Sequence, residues 1–197
     1  MNIALNASRP PSTLGDYFTC RQEPGRAGLP VPSVTMHDGL VHRDVMYRRM
    51  ESTLTPDEHL LVRKGDIAYN MMRMWQSACG LAEFDGIVSP AYVVLTPKSG
   101  INNRFAYHWL KTPRMLHLLW AYSHGLTEDR LRLYFDDFRQ IPASAPSLQN
   151  QERIASVLDA CSNLIEKTEV SLSLLKSQKL SLMQRLIPSE WLDDSFA

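Results

Sequence analysis

Residues 70–77 concentrate side chains that can recognise the edges of nucleic-acid bases. The guanidinium group of Arg73 can donate to O6 and N7 of guanine, and the amide of Asn70 or Gln76 can pair with N6 and N7 of adenine. Side chains of this kind distinguish base sequence when a rigid scaffold presents them on a loop. The segment is therefore a candidate for direct recognition of bases, and we name it the readout loop.

Packing offers a second interpretation of the same segment. Asn70 follows a predicted strand, a position at which asparagine commonly forms a turn. Met71 and Met74 can contact the methyl group of thymine. However, methionine and tryptophan side chains such as Trp75 more commonly fill a core. The sequence leaves both interpretations open.

Two further segments carry cationic side chains that can bind phosphate groups. One lies around a predicted turn and contains His37, His42, Arg43, Arg48 and Arg49. The other is a polar loop that contains His124, Arg130 and Arg132. The first segment can equally be a solvated helix face, on which the cations are neutralised by Asp38, Asp44 and Glu51.

The sequence lacks the common motifs of enzymes. It contains neither G-x-G-x-x-G nor G-x-x-x-x-G-K-[ST], so no nucleotide-binding loop is evident. It contains no G-x-S-x-G, and its three cysteines do not form a C-x-x-C pair. A metal site formed by His37, Asp38, His42 and Asp44 is an alternative, although such residues beside a glycine turn are usually on the surface. We expect no catalytic residue, no metal and no cofactor.

The composition is that of a folded protein. The content of 44% hydrophobic and 21% charged residues excludes wholesale disorder. The net charge is zero, so the chain lacks the basic balance that is usual in nucleic-acid-binding domains. No apolar run approaches the length of a membrane span, and the N-terminus lacks the pattern of a signal peptide, so we expect a cytoplasmic protein.

Hydrophobic patterns predict a mixed α+β domain. Strands are predicted at residues 31–36, 60–69 and 87–95, the second broken by a Lys-Gly-Asp turn and the third by Pro90. Apolar residues at helical spacing predict helix at 103–120, with Pro113 at a break or in a first turn. Residues 43–51 are also predicted to be helical, and residues 55–58 have a helix-start or turn signature.

A long helix is predicted after the proline-rich segment at residues 140–146. Residues 148–187 contain no proline or glycine, and the seam positions alternate in steps of four and three. Two polar residues interrupt a seam that consists of Ile154, Leu158, Cys161, Ile165, Thr168, Leu172, Leu175, Lys179, Leu182 and Leu186. Such a helix spans about 60 Å, too long to be covered by a domain of this size, so it needs a partner helix.

Four segments, in this order, resemble the specificity subunit of type I restriction–modification systems. They are residues 64–80 (KGDIAYN continuing through RMWQ to Gly80), residues 85–92 (DGIVSPAY), residues 123–132 (SHG, then RLR), and residues 141–184, which run from IP through QERIA to LMQ. Together they span nearly the whole chain. Subunits of this family usually contain two units of recognition domain plus helix, whereas this chain contains one.

The resemblance implies a target recognition domain at residues 1–146, followed by a long spacer helix at 147–187. The seam makes this helix a candidate dimerisation arm, and residues 188–197 are expected to be a flexible tail. The resemblance also implies a non-catalytic subunit that binds double-stranded DNA in the major groove and docks modification subunits, which carry the methyltransferase chemistry; a restriction subunit can join. The candidate DNA-binding residues are then Asn70, Arg73, Trp75, Gln76, His37, His42, Arg43, Arg48, His124 and Arg130. The alternative is a coiled-coil protein-interaction module without DNA binding, which the neutral charge slightly favours.

The seam fits an antiparallel homodimer centred near Val170, in which every layer joins an a position to a d position. The layers pair Ile154 with Leu186, Leu158 with Leu182, Cys161 with Lys179, Ile165 with Leu175, and Thr168 with Leu172. The stem of Lys179 can pack on Cys161 while its ammonium reaches water, and Thr168 can help to fix the register. We expect a two-fold dimer with identical recognition domains at opposite ends, which would recognise an inverted repeat. The open alternative is that this chain is one half of a specificity subunit and pairs with a half of different sequence.

Overall fold

The computed structural model describes residues 12–36, 39–42, 54–127 and 130–187, with only the backbone of His42. The chain divides into two compact units between Ala155 and Ser156. The predicted helix at residues 43–51 lies outside the described residues.

The first unit is built on antiparallel strands. The described strands are β1 (Phe18–Arg21), β2 (Pro32–Val34), β3 (Leu40–His42), β4 (Leu60–Val62), β5 (Ile67–Asn70), β6 (Cys79–Leu81), β7 (Gly86–Val88) and β8 (Tyr92–Pro97). A four-stranded sheet has the order β1-β8-β5-β6, while β2 pairs with β3 and β4 pairs with β7. The strands predicted at residues 31–36, 60–69 and 87–95 are therefore confirmed, and Pro90 lies between β7 and β8.

The described helices follow the predicted breaks. They are α1 (Leu14–Tyr17), α2 (Asn103–Leu110), α3 (Pro113–Ala121), α4 (Phe135–Phe138) and α5 (Leu148–Leu186), with 3-10 helices at Pro56–Glu58 and Met74–Gln76. The predicted helix at residues 103–120 is divided in two, because Pro113 begins α3, where its missing N–H costs nothing. Asn102 caps α2 by accepting a hydrogen bond from the amide of Phe105 at 2.9 Å.

Strand β5 is the centre of the fold because both of its faces are covered. Ile67 and Tyr69 point into the larger core, which includes residues of α2, α3 and α4. Between them, Ala68 points into a smaller core formed with residues of β4, β7 and β8. The alternation of strand side chains thus places consecutive residues in two separate cores.

Gly80 on β6 is required by a close approach of backbones. A Cβ atom at this position would lie 2.2 Å from the amide nitrogen of Leu40 on β3. Any side chain would push the β2–β3 hairpin away from the sheet, so only glycine fits here.

The start of α5 belongs to the first unit and is fixed there by Gln151, which is 1% exposed. Its Oε1 atom accepts from the amide of Asn102 at 2.8 Å. Its Nε2 atom donates to the carbonyls of Pro146 at 2.8 Å and Gly100 at 3.3 Å. One buried side chain therefore joins the helix to the proline-rich segment and to the loop before α2.

The second unit contains the remainder of α5. Every described side chain in this part of the helix is exposed except that of Asp159, which is half-buried. The exposed residues include the large apolar seam residues Leu158, Ile165, Leu172, Leu175, Leu182 and Leu186. Within the described part of the chain, no helix is long and apolar enough to cross a membrane.

Candidate nucleic-acid interface

The readout loop connects β5 to β6 and is held by its own hydrogen bonds. The Oδ1 atom of Asn70 accepts from the amide of Met72 at 2.9 Å, and the carbonyl of Asn70 accepts from the amide of Arg73 at 3.1 Å. The loop closes where the amide of Asn70 donates to the carbonyl of Ala78 at 3.0 Å. Asn70 therefore has the turn role that the sequence left open, and one of its two amide atoms is occupied.

The middle of the loop packs inward. Met74 is fully buried, and α3 packs against the 3-10 helix that contains it. The idea that Met74 contacts a thymine methyl is therefore wrong, because its side chain fills the core. Trp75 is half-buried, and its Nε1 atom donates to the carbonyl of Met72 at 3.2 Å. Ser77 ends the 3-10 helix in the left-handed conformation, at φ 72°.

The outer side of the loop presents Arg73, Gln76 and Met72. All three side chains are exposed. Among the described residues, the guanidinium of Arg73 and the amide of Gln76 form no ion pair or side-chain hydrogen bond, so both are free to bind a ligand. Met72 is 40% exposed and was missed in the sequence, where the neighbouring methionines were considered instead.

A second segment, residues 131–134, lies directly beside the readout loop. The amide of Leu133 donates to the carbonyl of Met71 at 2.9 Å. The buried hydroxyl of Tyr69 donates to the carbonyl of Leu133 at 3.2 Å, and burial raises the pKa of Tyr69 well above its ordinary value. The phenol thus stays protonated and acts as a permanent donor to this segment.

The polar loop at residues 123–132 joins this arrangement. His124 and Arg132 exchange two backbone hydrogen bonds, of 2.9 Å and 2.8 Å. The Nε2 atom of His124 also lies 3.1 Å from Oδ1 of Asp137, so one ring nitrogen has an internal partner. Arg130 is exposed. The fold therefore brings His124 and Arg132 towards the readout loop through Leu133.

Of the remaining cationic candidates, only the backbone of His42 belongs to the described part of the chain. His37, Arg43, Arg48 and Arg49 lie outside the described residues. The backbone of His42 lies at the end of β3, opposite Pro32 on β2. The metal alternative also falls largely outside the described residues; within them, no group of three or more His, Cys, Asp or Glu side chains could hold a metal ion.

A buried ion pair, which sequence reasoning missed, supports the scaffold. Arg21 on β1 donates from Nε to Oδ2 of Asp66 at 2.7 Å, and Asp66 is 3% exposed. The same oxygen accepts from the amide of Arg63 at 2.9 Å. The hydrogen bond to Asp66 raises the pKa of Arg21. This pair stabilises the turn between β4 and β5, at the opposite end of β5 from the readout loop.

These features define a class of protein: an antiparallel scaffold with an exposed polar loop, whose chain continues into a long helix with an exposed apolar seam. Residues 57–176 match the family described as the type I restriction modification DNA specificity domain. The match covers more than half of the 197 residues, so the chain belongs to this family. The resemblance proposed from the sequence is confirmed.

Solved structures of the same fold come from type I systems. The HsdS subunit from Thermoanaerobacter tengcongensis is 15% identical, with a TM-score of 0.58 over 91% of this chain and 49% of that chain. The type I S subunit from M. genitalium is also 15% identical, with a TM-score of 0.53, and the match covers 93% of this chain and 46% of that chain. The chain thus spans about half the length of these relatives. No curated protein matches it.

Proposed function

We propose that this chain is a non-catalytic DNA-recognition subunit of a type I restriction–modification enzyme. Residues 1–146 would recognise a DNA half-site, residues 147–187 would form the spacer and dimerisation arm, and residues 188–197 a tail. The observation that carries the proposal is the readout loop, in which Arg73 and Gln76 are exposed and unpaired among the described residues. In a member of this family, such side chains are suited to base edges.

The construction of the loop supports a role in recognition rather than in packing alone. Its backbone is closed by hydrogen bonds at both ends, and buried Met74 anchors its middle. Arg73 and Gln76 therefore project from a fixed backbone, so less conformational freedom is lost on binding. A pairing of Arg73 with guanine would contribute about 1–3 kcal/mol of discrimination.

The test is a titration of duplex DNA with the wild type and with Arg73→Ala. We expect affinity to fall steeply with rising salt in the wild type, because bound cations are released from phosphates. We expect Arg73→Ala to weaken binding about tenfold, or 1.4 kcal/mol. Arg104→Ala is the matched control, because it removes the same charge from an exposed position where Arg104 pairs with Glu83 at 3.0 Å. Equal effects of the two variants would contradict a specific role for Arg73.

We also infer that the arm forms an antiparallel homodimer. The seam residues of α5 are exposed in the single chain. The layers centred near Val170 run from Ile154 to Leu186 and are apolar except where Thr168 and Lys179 take part. Thr168 contributes by packing, because its hydroxyl already donates to the carbonyl of Leu164 at 2.7 Å. An exposed seam of this length is unfavourable in water and stable only when a second helix covers it.

Native mass measurement tests the dimer. Leu175→Glu places a charge in the seam opposite Ile165 of the second copy, so we expect the wild type to be a dimer and this variant a monomer at micromolar concentration. Ser173→Glu is the matched control, because it adds the same charge away from the seam. A wild-type monomer, or a variant that dimerises as the wild type does, would refute the inferred interface.

The partners follow from the same proposal. Modification subunits would dock on the assembled arms and carry out methylation, and a restriction subunit can join them. The competing function is a coiled-coil protein-interaction module without DNA binding. DNA affinity that is absent, or that does not depend on salt, would favour the competing function.

A further inference from the structure

Residues 131–134 lie beside the readout loop and form backbone hydrogen bonds on two sides. On one side, the backbone of Leu133 is bonded to Met71 and to the hydroxyl of Tyr69. On the other side, the backbone of Arg132 exchanges two hydrogen bonds with His124. The segment is therefore held along both edges, as an inner strand is.

This extended backbone gives its two faces different roles. Leu133 is fully buried in the larger core, whereas the neighbouring Arg132 and Tyr134 are exposed, Tyr134 by 46%. Because side chains alternate along an extended segment, Arg132 and Tyr134 share the outer face. Among the described residues, neither side chain forms an ion pair or a hydrogen bond.

The hydrogen bonds that hold this segment in the fold do not involve the side chains of Arg132 and Tyr134. Tyr134 begins α4 through its carbonyl, which accepts from the amide of Phe138 at 3.0 Å. Phe138 in turn stacks on Tyr69, with ring centroids 5.6 Å apart. Arg132 contributes to the bridge with His124 through backbone atoms only. The backbone that carries this exposed guanidinium and exposed phenol is thus fixed by hydrogen bonds that do not involve the two side chains.

We propose that Arg132 and Tyr134 form a second DNA-contacting edge, continuous with the readout loop. This inference rests on the proposed DNA-recognition function and adds residues to its site. A guanidinium group binds phosphate or guanine, and a phenol offers both a hydrogen bond and a ring face to a base. His124 already has Asp137 as a partner, whereas the guanidinium of Arg132, which is always charged, has none among the described residues.

The experiment uses the chain together with its modification subunit. The wild type first selects duplexes from a randomised pool, and affinities for the recovered duplex are then measured for Arg132→Ala, Tyr134→Ala and Arg104→Ala. We expect the first two variants to lose about tenfold in affinity, or 1.4 kcal/mol, and the Arg104 control to stay within about twofold. Thermal melting should be unchanged for all three, because the exposed side chains do not support the core.

Different results identify which inference is at fault. If the wild type recovers no sequence from the pool, the proposed function fails, and this inference fails with it. If the wild type recovers a sequence and both variants bind it within twofold of the wild type, the second edge is refuted while the readout loop is not. If Tyr134→Ala loses affinity as expected, Tyr134→Phe resolves the contact, because retention of affinity assigns it to the ring and loss assigns it to the hydroxyl.

Discussion

Replacing Gln151 by alanine should destabilise the first unit more than any other polar substitution at the start of α5. The side chain is 1% exposed and forms three hydrogen bonds, which join the helix to the amide of Asn102 and to the carbonyls of Gly100 and Pro146. The change removes all three bonds at once and leaves the partner groups without their protein contacts.

The magnitude follows from the exposure of those partners. Gly100 and Pro146 are exposed, so their carbonyls can bond water, and the loss there is about 0–1 kcal/mol each. Asn102 is half-buried, so its amide is left partly unsatisfied, at a cost of about 1–3 kcal/mol. We therefore expect the free energy of unfolding to fall by about 1–5 kcal/mol, which lowers Tm by about 2–20 °C in a protein of this size.

Urea and thermal unfolding, followed by circular dichroism, measure this effect. Gln149→Ala is the matched control, because Gln149 lies in the same turn of α5 and is exposed. The control should stay within about 0.5 kcal/mol of the wild type. A Gln151→Ala protein as stable as the control would refute the argument that this side chain fixes the start of the helix.

Two further predictions concern the loop and its neighbouring strand. Burial raises the pKa of Cys79 from 9.0 to about 11, so thiol-reactive probes at pH 8 should label exposed Cys161 rapidly and Cys79 only on unfolding. The thiol loses its proton at a higher pH in the folded state than in the unfolded state, so the stabilisation by Cys79 should be complete below pH 9 and should decline between pH 9 and 11. A difference in the free energy of unfolding between the wild type and Cys79→Ala that does not change across that range would contradict this expectation. Ser77 has a φ of 72°, a left-handed conformation that is strained for a residue with a Cβ atom. Ser77→Val should therefore lower the free energy of unfolding by about 1–2 kcal/mol relative to Ser77→Gly. Equal stability of the two variants in urea unfolding would contradict this strain.

Local patterns in the sequence predicted several of the elements but not their pairing, and strands β3 and β6 were not predicted. Alternation and β-branching identified β5, β7 and β8, and the position of Pro113 indicated the division between α2 and α3. The pairing of β1 with β8, where Phe18 lies opposite Pro97, depends on residues far apart in the chain. No local periodicity encodes such a partner.

In the candidate site, too, local features could be predicted from the sequence and long-range contacts could not. The sequence indicated that residues 70–77 carry recognition chemistry, and it left open whether Asn70 forms a turn and whether the methionines are buried. Met74 is buried because α3 packs on its 3-10 helix, a contact that is not visible in the loop itself. The bonding of Leu133 to Met71 likewise joins distant segments, so Arg132 and Tyr134 were not grouped with the loop.

Gln151 illustrates what a motif cannot explain by itself. The QERIA segment contributed to the family resemblance, but only the fold shows why glutamine occupies its first position. An acceptor for Asn102 and a donor for Pro146 are needed on one buried side chain, and the glutamine amide supplies both.

We propose that this chain determines which DNA sequence is methylated by the modification subunits. The direct test is a map of methylated bases in cells that carry the modification subunit with and without this chain. We expect one methylated inverted repeat, with two identical half-sites at a fixed spacing, that disappears when the chain is removed and weakens with Arg73→Ala. Methylation that is unchanged by removal of the chain would refute the proposed function.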